Sequence, residues 1–82
     1  MMNNENIEIL KNILRESLLE EELIINEDDD LVEDLDLDSI GYVDLTVKIE
    51  LTFGVVISNK SIRAANTFQD LIDLVSKQME NE

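Results

Sequence analysis

The sequence contains no cysteine, histidine, proline or tryptophan, and only two of its 82 residues are glycine. Without cysteine, the chain can form neither a disulfide nor a thiolate metal site. Without histidine or cysteine it also lacks the usual nucleophile–base pairs, and a serine with no base beside it is a weak nucleophile. The two glycines, Gly41 and Gly54, cannot make a glycine-rich phosphate loop. These absences argue against an enzyme, and we expect no catalytic residue.

Basic residues are also scarce, six against 20 acidic ones, which gives a net charge of -14 at pH 7. A protein that binds nucleic acid needs Lys and Arg to displace counterions, and an anionic membrane surface would repel this chain in the same way. The charge favours partner proteins with basic surfaces. No apolar run approaches the length of a membrane span, and the N-terminus lacks the basic and apolar parts of a signal peptide. We therefore expect a cytoplasmic monomer that binds neither nucleic acid nor membranes.

The hydrophobic content is that of a folded protein. At 44% hydrophobic residues, the chain is not expected to be disordered despite its charge. Its length predicts a single domain, residues 1–82, with one thin core. A core of that size leaves little room for a deep, water-excluding site.

Hydrophobic periodicity predicts an all-α fold, a small bundle of three main helices plus one short helix. The helices are expected at residues 5–19, 39–53, 59–64 and 68–79. Residues 20–37 form a long loop between the first two main helices, and its aliphatic side chains should hold it against them. The β-branched run 55–57 has no second strand to pair with, so we interpret it as an extended connector that fills the core.

The second main helix carries two apolar stripes on nearly opposite sides. One stripe is Tyr42, Leu45, Ile49 and Phe53. The other is Ile40, Val43, Val47 and Leu51. Only one of them is needed for so small a core, so the second either packs beneath the long loop or stays exposed for a partner. The pattern alone leaves both alternatives open.

Residues 34–40, Asp-Leu-Asp-Leu-Asp-Ser-Ile, lead from the loop into this helix. A calcium loop needs glycine at its sixth position and glutamate at its twelfth. Counted from Asp34, those positions are Ser39 and Leu45, so a calcium sensor is disfavoured and we expect no metal site. Asp38 is a good N-cap, which places Ser39 in the first turn. The backbone N–H groups and positive end of a helix suit a phosphate ester at that hydroxyl.

At these residues the sequence resembles the acyl carrier protein family. Asp38-Ser39-Ile40 is similar to the family's Asp-Ser-Leu modification site, and residues 31–35, Leu-Val-Glu-Asp-Leu, are similar to the run before it. The second-helix pattern also fits, and the resemblance covers residues 5–79. Some residues depart from the family, among them Gly41, Thr46 and Lys48, which replace residues that are commonly acidic or apolar in fatty-acid carriers. Asp36 stands where the family usually has glycine, and the short helix carries Lys60 and Arg63 where acids are usual.

The resemblance implies that Ser39 carries 4′-phosphopantetheine, donated from coenzyme A by a phosphopantetheinyl transferase. Asp38 would help position the Mg²⁺ ion of that transfer. The carrier itself would catalyse nothing. It would deliver acyl thioesters to acyl-transferring enzymes of fatty-acid, polyketide or related lipid biosynthesis. The implied partner contacts are Ile40, Val43, Asp44, Val47 and Glu50, which favours recognition as the role of the second stripe.

A different class of function remains open. The same fold could serve as an acidic helical adaptor that is never modified. Ser39 would then be only a residue of the capping turn, and partner binding would survive its removal.

Overall fold

The computed structural model describes residues 2–80, and these form four helices. They are α1 (Asn4–Leu18), α2 (Ser39–Phe53), α3 (Asn59–Ala64) and α4 (Phe68–Glu80). Between residues 2 and 80 there is no strand, and only an isolated bridge joins Asp30 to Thr67. The predicted all-α fold, with three main helices and one short one, is confirmed. Within the same range, no helix is long and apolar enough to cross a membrane.

The helix ends follow from local side-chain chemistry. Asn3 caps α1, because its side-chain oxygen accepts a hydrogen bond from the Asn6 N–H at 2.8 Å. Thr67 and Asp70 form the reciprocal capping box at the start of α4, with both side-chain-to-backbone distances at 3.1 Å. α2 ends at Gly54, whose φ of 67° is the left-handed conformation that glycine adopts without strain.

The end of α1 differs by one residue from the prediction. Leu19 was expected to be helical, but its φ of 60° makes it the left-handed C-cap. Its backbone N–H donates to the carbonyl oxygens of Arg15 and Glu16, which closes the last turn. Its side chain is exposed, since no core lies on that side. A glycine would signal such an end in the sequence, and a leucine gives no such signal.

The core is one cluster built from all four helices and the long loop. α1 packs against α2, α2 against α3, and α3 against α4. The side chains at its centre are fully buried: Leu10, Leu14, Leu31, Leu45, Ile49, Ile62, Phe68, Leu71 and Val75.

The long loop is held in place as predicted for most of its aliphatic residues. Buried positions along it are Ile25, Leu31, Leu35 and Leu37. Backbone hydrogen bonds also tie it to the start of α4, including Phe68 N–H to Asp29 O at 3.0 Å and Gln69 N–H to Glu27 O at 2.8 Å. For Ile24 and Val32 the prediction is wrong, because both are exposed. Ile24 points outward between Leu23 and Ile25, which take the positions against the core.

The run 55–57 is the extended connector that the sequence predicts. Val55 and Ile57 are buried, while Val56 between them is exposed. The Ile57 N–H donates to Oε2 of Glu50 at 2.9 Å, so the connector is fixed to α2.

Candidate functional site

Ser39 is the first residue of α2, and its side chain is exposed. The preceding Asp38 has an extended backbone and caps the helix, its Oδ1 accepting the Gly41 N–H at 2.7 Å. The Ser39 hydroxyl has no hydrogen-bond partner among residues 2–80. The capped turn therefore holds this hydroxyl at the surface with no competing contact.

Gly41 allows the first turn of α2 to pack closely against the side chains of Leu37 and Asp38. A Cβ at this position would lie 2.7 Å from Cδ1 of Leu37 and 3.2 Å from Oδ1 of Asp38. A larger residue would press on both the buried Leu37 and the cap. The sequence alone assigned no role to Gly41. The presence of a glycine in the first turn of a helix was the only sign that the backbone is closely packed there.

The turn before the cap contains a second left-handed residue. Asp36 has a φ of 59°. Its backbone N–H donates to Val32 O at 3.1 Å, and its side chain is exposed. The family that the sequence resembles usually has glycine at this position. This chain keeps the left-handed backbone conformation that favours glycine, although the residue is Asp36.

Two acids of the long loop accept hydrogen bonds from backbone N–H groups of the same loop. Oδ1 of Asp30 accepts the N–H groups of Val32 at 2.9 Å and Glu33 at 2.8 Å. Oδ2 of Asp34 accepts the N–H of Asp30 at 2.7 Å. In the described part of the chain, no three acidic side chains come together in a way that could hold a metal ion. Of the three alternating acids that resembled calcium ligands, Asp34 and Asp38 thus cap turns of the backbone, whereas the Asp36 side chain is exposed.

The two stripes of α2 have opposite environments. Tyr42, Leu45 and Ile49 are buried, and Phe53 packs at the edge of the core. The other stripe is exposed, and the exposed fractions of its residues are 81% for Ile40, 62% for Val43, 48% for Val47 and 80% for Leu51. Of the two alternatives left open by the sequence, exposure is correct. These four residues, called the apolar stripe below, begin directly beside Ser39.

The two acids predicted to meet partners already have partners within the chain. Oδ2 of Asp44 accepts from Nζ of Lys48 at 2.6 Å and from Oγ of Ser17 at 2.9 Å. These two hydrogen bonds, with Lys48 the stronger, hold the pKa of the Asp44 carboxyl below its usual value. Glu50 accepts the Ile57 N–H. The Asp44–Lys48 pair has the i,i+4 spacing within one helix that a sequence can indicate. The contacts of Asp44 with Ser17 and of Glu50 with Ile57 join separate elements, so the sequence could not indicate them.

The short helix α3 places a cation, Arg63, near Ser39. The guanidinium carbon of Arg63 lies 4.4 Å from the centroid of the Tyr42 ring. Burial raises the pKa of Tyr42, and the positive charge of Arg63 partly opposes that rise. Arg63 and Ser39 line one surface cavity together. The sequence identified Arg63 as unusual but not its contact with the ring.

The site has room for a group attached to Ser39. One surface cavity lies toward Arg63, and another lies on the side of Ile40 and Asp44. An accessible hydroxyl beside an exposed apolar stripe, on an acidic helical bundle, is the arrangement expected of a carrier domain.

Comparison with known proteins agrees with this class. Residues 8–75 match the family model described as a phosphopantetheine attachment site. The chain is 37% identical over 70 residues to the acyl carrier protein of Coprothermobacter proteolyticus, covering 85% of each chain. It is 32% identical over 79 residues to that of Petrotoga mobilis, covering 96% of this chain and 93% of the relative. It is 30% identical over 70 residues to that of Thermotoga maritima, covering 85% and 86%.

The chain therefore belongs to the acyl carrier protein family. The resemblance seen in the sequence is confirmed. The protein is a carrier and not an enzyme, and its cofactor is phosphopantetheine.

Proposed function

We propose that residues 1–82 act as a single carrier domain whose 4′-phosphopantetheine arm is attached to Ser39. The observation that supports this most directly is the exposed Ser39 hydroxyl, held at the start of α2 by the Asp38 cap and free of hydrogen bonds to residues 2–80. When bound, the arm supplies a terminal thiol that holds an acyl group as a thioester.

The attachment step uses the Ser39 hydroxyl as the nucleophile. Its Oγ forms a bond to the phosphorus that bears pantetheine in coenzyme A, and the P–O bond to the leaving 3′,5′-ADP breaks. The hydroxyl proton passes to a base of the phosphopantetheinyl transferase. Asp38 uses Oδ1 for the cap, and its Oδ2 makes no hydrogen bond within residues 2–80. We assign Oδ2 to the transferase's Mg²⁺ ion.

Delivery to acyl-transferring enzymes uses the face of α2 next to Ser39. The proposed contacts are Ile40, Val43, Asp44, Val47 and Glu50. The net charge of -14 steers this face toward basic partner surfaces. We place the protein in the cytoplasm as a monomer, in fatty-acid, polyketide or a related lipid biosynthesis.

Intact-mass analysis tests the attachment. With coenzyme A and a broad-specificity phosphopantetheinyl transferase, the wild-type protein should gain roughly 340 Da, the mass of one arm. Ser39→Ala should gain nothing, whereas Ser76→Ala, a matched control on α4, should gain the full mass. The proposal is wrong if the wild-type protein stays unmodified while the same transferase modifies another carrier, or if Ser39→Ala is still modified.

The same reaction tests the apolar stripe. Val43→Ser should lower kcat/KM for the transferase, because Val43 lies one turn beyond Ser39 and is 62% exposed. Val56→Ser is the matched control, since Val56 is 77% exposed but lies outside the stripe. Equal rates for the two variants would remove Val43 from the contact surface.

An unmodified adaptor, which the sequence alone left open, is not favoured once the chain is placed in the acyl carrier protein family, and the exposed apolar stripe fits both functions. Such a protein would bind its partner equally well as wild type or as Ser39→Ala. A carrier with that substitution would deliver no acyl group.

A further inference from the structure

We propose that Arg63 is a positioning residue that binds the phosphodiester of the arm, and so directs the arm toward α3. This inference depends on the proposed attachment at Ser39. It begins with a surface cavity of about 420 Å³ that Ser39 and Arg63 line together. A phosphodiester formed on the Ser39 hydroxyl would carry a negative charge at the edge of this cavity.

The charges around the cavity make Arg63 the suitable counterion. The other charged residues that line it are Asp36 and Asp38, both acidic. A phosphodiester at Ser39 would be repelled by these two carboxylates and attracted by the guanidinium. Because a guanidinium presents paired N–H donors in a fixed plane, it suits phosphate oxygens better than a simple ammonium does.

Arg63 is available for this role. No carboxylate of residues 2–80 lies within ion-pair distance of it, and its one interaction is with the Tyr42 ring. The guanidinium carbon lies over that ring, and the N–H donors of the group make no hydrogen bond within residues 2–80. Tyr42 is buried, so the ring gives the guanidinium a fixed platform and lowers the entropy cost of holding it.

The second cavity, beside Ile40, offers no equivalent cation. Its charged lining residues are Lys48 and four acids, Glu16, Asp36, Asp38 and Asp44. Lys48 is already paired with Asp44 at 2.6 Å. A phosphodiester in that cavity would meet one lysine that is already paired and four acids, so the cavity of Arg63 is favoured.

Phosphorus NMR and thermal melts of the unmodified and modified protein test the inference. Modification should raise the Tm of the wild-type protein, and Arg63→Gln should remove most of that rise. The ³¹P resonance of the arm should also shift in Arg63→Gln, and Arg63→Lys should restore part of the effect. Comparing each variant before and after modification cancels any loss of the Tyr42 contact itself.

Lys60→Gln is the matched control, since Lys60 is an exposed cation on the same short helix that does not line the cavity. It should leave the ³¹P shift and the modification-dependent rise in Tm unchanged. If Arg63→Gln behaves like Lys60→Gln in both measurements, Arg63 does not bind the arm. If no protein gains the mass of the arm, attachment at Ser39 fails, and the role of Arg63 fails with it.

Discussion

Asp36 provides a sharp test of how the turn before Ser39 is built. Its φ of 59° crowds the Cβ of any residue other than glycine. The side chain is exposed and makes no hydrogen bond with residues 2–80. Replacing it with glycine or with alanine therefore removes the same charge and no contact. The two variants differ only in the strain of a Cβ at a left-handed position and in the freedom of the unfolded chain.

The magnitude follows from those two effects. A left-handed conformation costs an L-residue about 1–2 kcal/mol, whereas alanine gains about 0.4–1 kcal/mol over glycine by restricting the unfolded chain. We expect Asp36→Gly to be more stable than Asp36→Ala by about 1 kcal/mol, which corresponds to about 4–8 °C in Tm for a domain of this size.

Urea and thermal unfolding, followed by far-UV circular dichroism at one ionic strength, measure the difference. Asp73 is the matched control, because it is an exposed acid in the right-handed interior of α4. There the order should reverse, and alanine should exceed glycine by about 1 kcal/mol. If Asp36→Ala is as stable as Asp36→Gly while the control behaves as expected, the left-handed strain at Asp36 is not real.

Three further outcomes are expected. Leu19→Asn should raise the unfolding free energy by up to about 1 kcal/mol, measured in urea. Leu19 is 89% exposed, and its backbone is left-handed, a conformation that asparagine tolerates better than leucine does. A lower urea midpoint for the variant would contradict this. Added sodium chloride should raise the Tm by screening the net charge of -14, and a Tm independent of salt would show that the repulsion is unimportant. Lys48→Gln should lower the free energy of unfolding at neutral pH by less than about 1 kcal/mol, since the pair is partly exposed, and the Tm should fall slightly. Because the pKa of Asp44 is lowered in the folded state, that loss should persist just below the usual Asp pKa and disappear only as the pH falls through the lower pKa of the folded state. A loss that is unchanged at a pH low enough to protonate Asp44 in the folded protein would refute the pairing.

Much of the fold could be predicted because its signals are local. Asp38, Gly54 and the pair Thr67–Asp70 each fix a helix end through atoms three or four residues away. The strict helical spacing of the buried residues gave the bundle, and the motif at Ser39 gave the family. Such signals depend little on how the elements are arranged in space.

The remaining features depend on tertiary contacts or on left-handed backbone positions that are not occupied by glycine. Leu19 and Asp36 are left-handed, although neither residue type announces it. Arg63 reaches the Tyr42 ring only because α3 packs on α2. The choice between an exposed and a covered second stripe also required the position of the loop, which the sequence pattern does not give.

The internal bonds of Asp44 and Glu50 are compatible with the partner contacts proposed for them. Each acid uses one carboxylate oxygen within the chain, Oδ2 of Asp44 and Oε2 of Glu50. The other oxygen of each has no hydrogen-bond partner in residues 2–80. An acid that is already fixed loses less side-chain entropy when it meets a basic partner. Lys48, however, cancels part of the charge at Asp44, which weakens attraction at that point. We infer that the apolar stripe provides most of the affinity for partners, while the positioned acids orient them over Ser39.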